Sequence, residues 1–130
     1  KSLKIKIVFE SDFSPLNLKS FISKFPVNYF GINYDTGNSA AMGFDPAKEF
    51  ASYGQRIMNI HIKDRILGGK TVHLGDGNVD FNSVFKELKK INYSQNYILQ
   101  TARAPDSNHA KLIKNYYYLI CGFIMNHFGS

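Results

Sequence analysis

Four apolar runs in this chain each end on a polar side chain able to bind something. Glu10 closes "IVFE" before Ser-Asp, and Asp35 closes "INYD" before Thr-Gly-Asn-Ser. His61 lies in "NIHIKD", and Gln100 closes "YILQ" before Thr-Ala-Arg. Two carboxylates, an imidazole and an amide oxygen make a donor set for a divalent cation of intermediate hardness. Mn²⁺ is the first choice, with Co²⁺, Mg²⁺ and Zn²⁺ compatible. No thiolate stands near these residues in sequence, which argues against a structural zinc site. The donors come from four separate segments, so their chemistry depends on a fold that gathers them. Each residue alone has an ordinary reading: a solvated glutamate, an aspartate in an Asx-turn, a satisfied core histidine, an unremarkable glutamine.

Other residues stand close enough in sequence to serve the same site. Asn38 follows Asp35 by three and can meet a substrate hydroxyl or cap a helix. Lys63 shares a strand face with His61 and Asn59, opposite Met58, Ile60 and Ile62. Arg65 and Arg103 are candidates for a phosphate or hydroxyl, with surface ion pairing as the plain alternative. The loops "ILGGK" (66–70) and "LGDGN" (74–78) can turn backbone N–H groups toward a phosphate or be simple turns. Neither is a dinucleotide fingerprint or a Walker loop. His73 and His109 have no evident partner. Serine or cysteine nucleophilic chemistry has no support, since the one cysteine, Cys121, lies within the apolar stretch 116–125.

The elements that must position these residues follow from periodicity. Segments 3–10, 27–35, 56–64 and 96–102 read as strands, the second weakened by Gly31. Segment 14–25 reads as a short helix, with Ser14 as cap, Pro15 in the first turn and Leu16, Ile22 and Phe25 on its apolar face. Segment 45–54 is capped by Asp45 and stopped by Gly54. Segment 79–91 carries Phe81, Val84, Phe85, Leu88 and Ile91 on one face behind an Asp80 cap. A long apolar helix is expected over 106–128. The order is βα four times, which predicts parallel strands with right-handed crossovers. An open sheet and half of an eight-stranded barrel both fit, and both place a site at the carboxyl ends of the strands.

The chain has 130 residues, enough for one domain, and is 44% hydrophobic with a charge of +6. The lysines are scattered, with no dense basic run interleaved with aromatics, which argues against nucleic acid. A single cysteine suggests a reducing compartment and a cytoplasmic protein. No run of about 18 apolar residues is present to span a membrane.

Taken together, "NYDTGN" after one strand, "HIKD" on the next, "LGDGNVDF" leading into a helix, and a final strand resemble the sugar-phosphate isomerase/epimerase group of xylose-isomerase-like TIM barrels. The resemblance covers about residues 4–115 and implies strands five to eight, the carboxyl-terminal half of the barrel. Residues 1–130 would then be a single half-barrel domain from a longer barrel, consistent with a start at Lys1 rather than methionine. The family implies a metal held by Glu, Asp, His and Glu, and Glu10, Asp35 and His61 match the first three positions. Gln100 departs from the fourth. Glutamine offers an oxygen to a metal but is no base near neutral pH. A symmetric two-base epimerisation is therefore disfavoured, and a one-base aldose–ketose isomerisation through an enediolate, with Glu10 as base, is retained.

Three functions compete. The first is a metal-dependent isomerase or epimerase on a sugar or sugar phosphate. The second is a degenerate, non-catalytic barrel half that binds a ligand or partner. The third is phosphodiester cleavage on DNA, since related barrels include abasic-site endonucleases; four scattered histidines argue against it. A half-barrel leaves two strand edges and an inner face uncovered, so a homodimer or higher oligomer is expected, either with two copies pairing edge to edge or with the apolar carboxyl-terminal helix exchanging or packing between chains.

Overall fold

The computed structural model describes residues 4–129; Leu3, the first residue of the first predicted strand, lies outside them. Four strands form one parallel sheet: β1 (Ile7–Phe9), β2 (Phe30–Asp35), β3 (Ile57–Ile62) and β6 (Asn96–Leu99), in the order β1-β2-β3-β6. Spatial order follows chain order, as expected for successive βα units. Helices α1 (Pro15–Ile22), α3 (Pro46–Tyr53), α4 (Phe81–Lys90) and α5 (His109–Phe128) form the second layer.

The core lies between these layers. Ile32, Ile60 and Ile62 from the sheet meet Ile22, Val84, Phe85 and Leu88 from the helices, all at most 2% exposed. Phe9 packs against Phe21, Phe25 and Phe30 with ring centroids 5.1–6.0 Å apart, anchoring the short first strand. The helix starts carry the caps the sequence predicts: Ser14, Asp45 and Asp80 each accept a backbone N–H of the first turn.

The structure corrects the sequence reading in four places. Helix α1 turns Leu18 and Ile22 inward and leaves Leu16 73% exposed, so the Leu16–Ile22–Phe25 face is wrong. A further helix, α2 (Thr36–Ala41), follows β2 directly, and a two-stranded hairpin, β4 (Asp64–Arg65) with β5 (Thr71–Val72), follows β3. Helix α5 begins at His109 under an Asn108 cap, not at Asp106. Gly31 does more than weaken its strand. The register shifts between Ile32 and Asn33 where β2 pairs with β3. A Cβ on Gly31 would lie 2.5 Å from Met58 Cγ and 2.8 Å from the Arg56 carbonyl oxygen, so only glycine fits.

Candidate metal centre

The two faces of the sheet divide the chemistry. Along β3, Ile60 and Ile62 point into the helix layer while Asn59, His61 and Lys63 line the opposite, inner face. Register places Asn33 beside Asn59 and Asp35 beside His61. Extending the β1–β2 register past Phe9–Ile32 puts Glu10 beside Asn33.

Glu10, Asp35 and His61 converge there. One donor atom from each lies within 4.8 Å of the other two. A cation with bonds of about 2.0–2.4 Å reaches three donors only when they are no farther apart than this. His61 Nδ1 is 3.2 Å from Glu10 Oε2 and 3.9 Å from Asp35 Oδ2. That nitrogen is nevertheless buried without a hydrogen-bond partner, because neither approach has hydrogen-bond geometry. A buried, unpaired imidazole nitrogen facing two carboxylates is the donor arrangement a divalent cation satisfies, so these residues fit one.

The surrounding side chains hold the donors in place. Glu10 Oε2 accepts from Asn33 Nδ2 at 2.6 Å and Oε1 from Asn38 Nδ2 at 2.9 Å, so both its oxygens are oriented. Asn59 in turn donates to Asn33 at 2.7 Å, extending an amide chain across three strands. Asp35 is both the last residue of β2 and the N-cap of α2, accepting from the Asn38 N–H at 2.8 Å. Burial pushes the Asp35 carboxyl above its ordinary range; the Asn38 N–H and Lys63 oppose this, and Glu10 adds to it. Lys63 Nζ lies 3.4 Å from Asp35 Oδ2.

Arg65 reaches the same rim from the hairpin. Its Nε and Nη2 donate to the Gly69 carbonyl and its Nη1 to Asn38 Oδ1 at 2.9 Å. With Glu10, Ser11, Asp12, Asn38 and Met42 it lines an open cleft of about 470 Å³.

Asn38 and Lys63 thus touch the Glu10–Asp35–His61 cluster directly, and Arg65 joins it through Asn38. Gln100 stands at the end of β6, its backbone N–H donating to the Ile62 carbonyl at 3.0 Å, with an exposed side chain. Arg103 is exposed in the segment before α5.

Sequence reasoning missed two buried carboxylates behind the site. Asp64 is fully buried and accepts four backbone N–H groups, from Arg65, Gly75, Gly77 and Val79, at 2.9–3.1 Å. The "LGDGN" amides at 75 and 77 therefore serve Asp64, which overturns their reading as a phosphate cradle. Glu49 accepts from the hydroxyls of Tyr34, Ser39 and Tyr53, and burial raises its carboxyl above the ordinary range. Its signal in the sequence was a glutamate four residues before Tyr53 on one helix. The two histidines without evident partners have them: His73 Nδ1 is 2.7 Å from the Tyr116 hydroxyl, and His109 Nδ1 accepts the Ala104 N–H. Among the described residues, no helix is long and apolar enough to cross a membrane.

Known proteins share this arrangement of strands. A xylose isomerase domain protein from Planctomyces limnophilus superposes with a TM-score of 0.78 at 22% identity, over 96% of this chain and 49% of that one. A D-allulose 3-epimerase from a Methylomonas species, solved with D-allulose, superposes at 0.57 with 24% identity over 77% and 35% of the two chains. In sequence, an inosose dehydratase of Geobacillus kaustophilus is 28% identical over 68% of this chain and 36% of its own length. A putative L-ribulose-5-phosphate 3-epimerase of Escherichia coli is 34% identical over 55% of this chain and 28% of its own. The chain thus spans about a third of the length of these curated relatives. The model of the xylose isomerase-like TIM barrel matches residues 6–116, most of the chain, and on that match the chain belongs to this family.

Proposed function

We propose that this chain carries the metal-binding rim of a sugar or sugar-phosphate isomerase or epimerase. The observation that carries this reading is the convergence of Glu10, Asp35 and the unpaired His61 Nδ1 within 4.8 Å. The kinship to named isomerases and epimerases supports the substrate class.

Glu10, Asp35 and His61 would hold the cation, with Gln100 as a fourth, neutral donor; Mn²⁺ suits the mixed set best. When bound, the cation supplies polarisation of a substrate carbonyl and its neighbouring hydroxyl. Glu10 would take the proton from the carbon beside that carbonyl and return it to the former carbonyl carbon on the same face, while the proton of the neighbouring hydroxyl passes to the former carbonyl oxygen. Asn33 and Asn38 fix the carboxylate's direction for that transfer. Lys63 and Arg65 balance the two carboxylates, so a bound cation leaves the rim net positive. That favours a phosphate or a developing oxyanion on the substrate. Arg103 and Asn38 would contact substrate hydroxyls. With Gln100 unable to act as a base, one-base isomerisation is preferred over two-base epimerisation. The free Cys121 supports a reducing, cytoplasmic setting for this activity.

The test is Mn²⁺ calorimetry on the chain and on His61→Ala, followed by ketoses and ketose phosphates incubated in D₂O. Metal binding lost in the variant, with deuterium entering at the carbon beside the carbonyl, supports the proposal. Equal metal binding by both proteins overturns the site. Metal binding without deuterium exchange favours the second reading, a ligand-binding half-barrel, for which Gln100 in place of a glutamate speaks.

A further inference from the structure

We propose that Asn59 is a positioning residue for the Glu10–Asp35–His61 cluster: through Asn33 it locks the strand register that sets Asp35 beside His61, and it turns an N–H of Asn33 toward Glu10. Its bearing on metal binding rests on the function proposed above, while the positioning follows from the geometry of β2 and β3.

The register of these two strands is interrupted. Ile32 pairs with Ile57 but Asn33 with Asn59, so the pairing steps over Met58. Burial shows the same step. Ile57, Ile60 and Ile62 are the β3 residues buried in the core, spaced three and then two apart, where an uninterrupted strand repeats every two. A strand continuing from Ile57 without the extra residue would bring Ile60 to the inner face and turn His61 into the core. The imidazole would then face the helices rather than two carboxylates. The extra residue needs space. Met58 Cγ and Sδ lie 2.5 and 2.6 Å from where a Gly31 Cβ would stand, so Gly31 and the bulge belong together.

Asn33 and Asn59 form the first pair after the bulge, joined side chain to side chain at 2.7 Å. A slipped register would part them. Their bond also has a direction, set from the Glu10 end. A carboxylate accepts and does not donate, so Asn33 must offer it Nδ2, at 2.6 Å. Asn33 Oδ1 then faces β3, where only a donor can meet it, and Asn59 Nδ2 is that donor. Asn33 is 6% exposed, so solvent does little to hold its amide either way round. Without Asn59, the Asn33 amide loses the bond that opposes a half-turn, and a half-turn would put its oxygen against Glu10. A carboxylate at position 59 would drive that half-turn, because it would compete with Glu10 for Asn33 Nδ2.

NMR on the metal-free protein tests the orientation, by the NOE between the Asn33 Nδ2 protons and the Glu10 side chain in the parent, Asn59→Ala and Asn59→Asp. The aspartate variant is near-isosteric, so a packing role predicts that it keeps the NOE better than alanine does. The amide chain predicts the reverse: the NOE is present in the parent, weakened in Asn59→Ala and lost in Asn59→Asp. Full strength in Asn59→Asp overturns the proposal, as does its absence from the parent. Mn²⁺ calorimetry reads the consequence. Asn59→Ala should weaken binding by about tenfold, the low end of what outer partners of metal ligands contribute. In an Asn33→Ala background the same substitution should change binding by less than about twofold, because its route to Glu10 is gone. Equal losses in both backgrounds overturn action through Asn33. A parent protein that binds no Mn²⁺ overturns the metal-binding function, and the NOE still decides the positioning.

Discussion

Replacing Asp64 with Asn should cost this fold more than its single-atom change suggests. Oδ1 accepts from the backbone N–H of Arg65 and Val79, and Oδ2 from Gly75 and Gly77. Asparagine keeps one oxygen, so one pair of N–H groups survives and the other faces an NH₂. The residue is fully buried, and water cannot replace the lost acceptor. A buried unpaired donor costs roughly 1–3 kcal/mol, so two set the loss at about 2–6 kcal/mol, with Asp64→Ala somewhat larger. That is a large part of the roughly 5–15 kcal/mol that holds a domain together. Urea unfolding followed by circular dichroism reads the loss directly. The Mn²⁺-induced gain in stability provides the control. It should match the parent protein's, because Glu10, Asp35 and His61 stand on β1, β2 and β3, or just past them, and not on the hairpin. A variant within about 0.5 kcal/mol of the parent would refute the claim that Asp64 organises residues 64–79. A lost metal response with intact stability would refute the separation of loop from site.

Other outcomes follow from the same geometry. Because Asp35 is held above its ordinary range in the fold, the native state binds that proton more tightly than the unfolded chain. Metal-free stability should therefore fall as pH rises from the unfolded carboxyl value through the folded one, with Glu49 adding to the decline. Mn²⁺ competes with that proton, so the melting-temperature gain it produces should grow over the same window. At a hundredfold excess over Kd it is worth about 2.7 kcal/mol, and a pH-independent gain would exclude Asp35 as a ligand. Gly31→Ala should cost roughly 1–3 kcal/mol in urea unfolding. Met58→Ala should restore only part of this, because the Arg56 carbonyl remains 2.8 Å from the new methyl. Gln100→Glu should tighten Mn²⁺ binding measured by calorimetry, since it adds a charged donor beside Lys63; unchanged affinity would place residue 100 outside the coordination sphere.

The strand order was legible, and Glu10 and Asp35 stood out because each closes a strongly apolar run, whereas His61 lies within β3 and shows only by alternation. Alternation along "NIHIK" by itself separates Ile60 and Ile62 from His61 and Lys63. Helix α2 was not legible. Its sequence, Thr-Gly-Asn-Ser-Ala-Ala, has no apolar period, and it forms because Asp35 caps it and because Thr36 and Ser39 find buried partners. The β4–β5 hairpin was hidden for a related reason. What holds it is one carboxylate bonded to amides eleven to fifteen residues away, and no local pattern encodes such a link. Leu16 misled because it stands about 200° of helix turn from Leu18, the residue that α1 buries together with Ile22.

Asp35 shows why the site resists dissection by its most buried member. It ends β2, caps α2, faces His61 Nδ1 and pairs with Lys63. Removing it would release Asn38, and Asn38 also orients Glu10 and receives Arg65. One substitution would then disturb the donor set, the proposed base and the cationic side of the cleft together. His61 is the cleaner probe. Its Nδ1 makes no hydrogen bond, so truncating the ring takes away a donor without unlocking the amides around it. The asymmetry has a physical cause. Carboxylates buried at a strand end must be satisfied by the scaffold whether or not a cation is present. A single ring nitrogen costs less to leave unpaired than a carboxylate does, and it stays available for the ligand that completes the site.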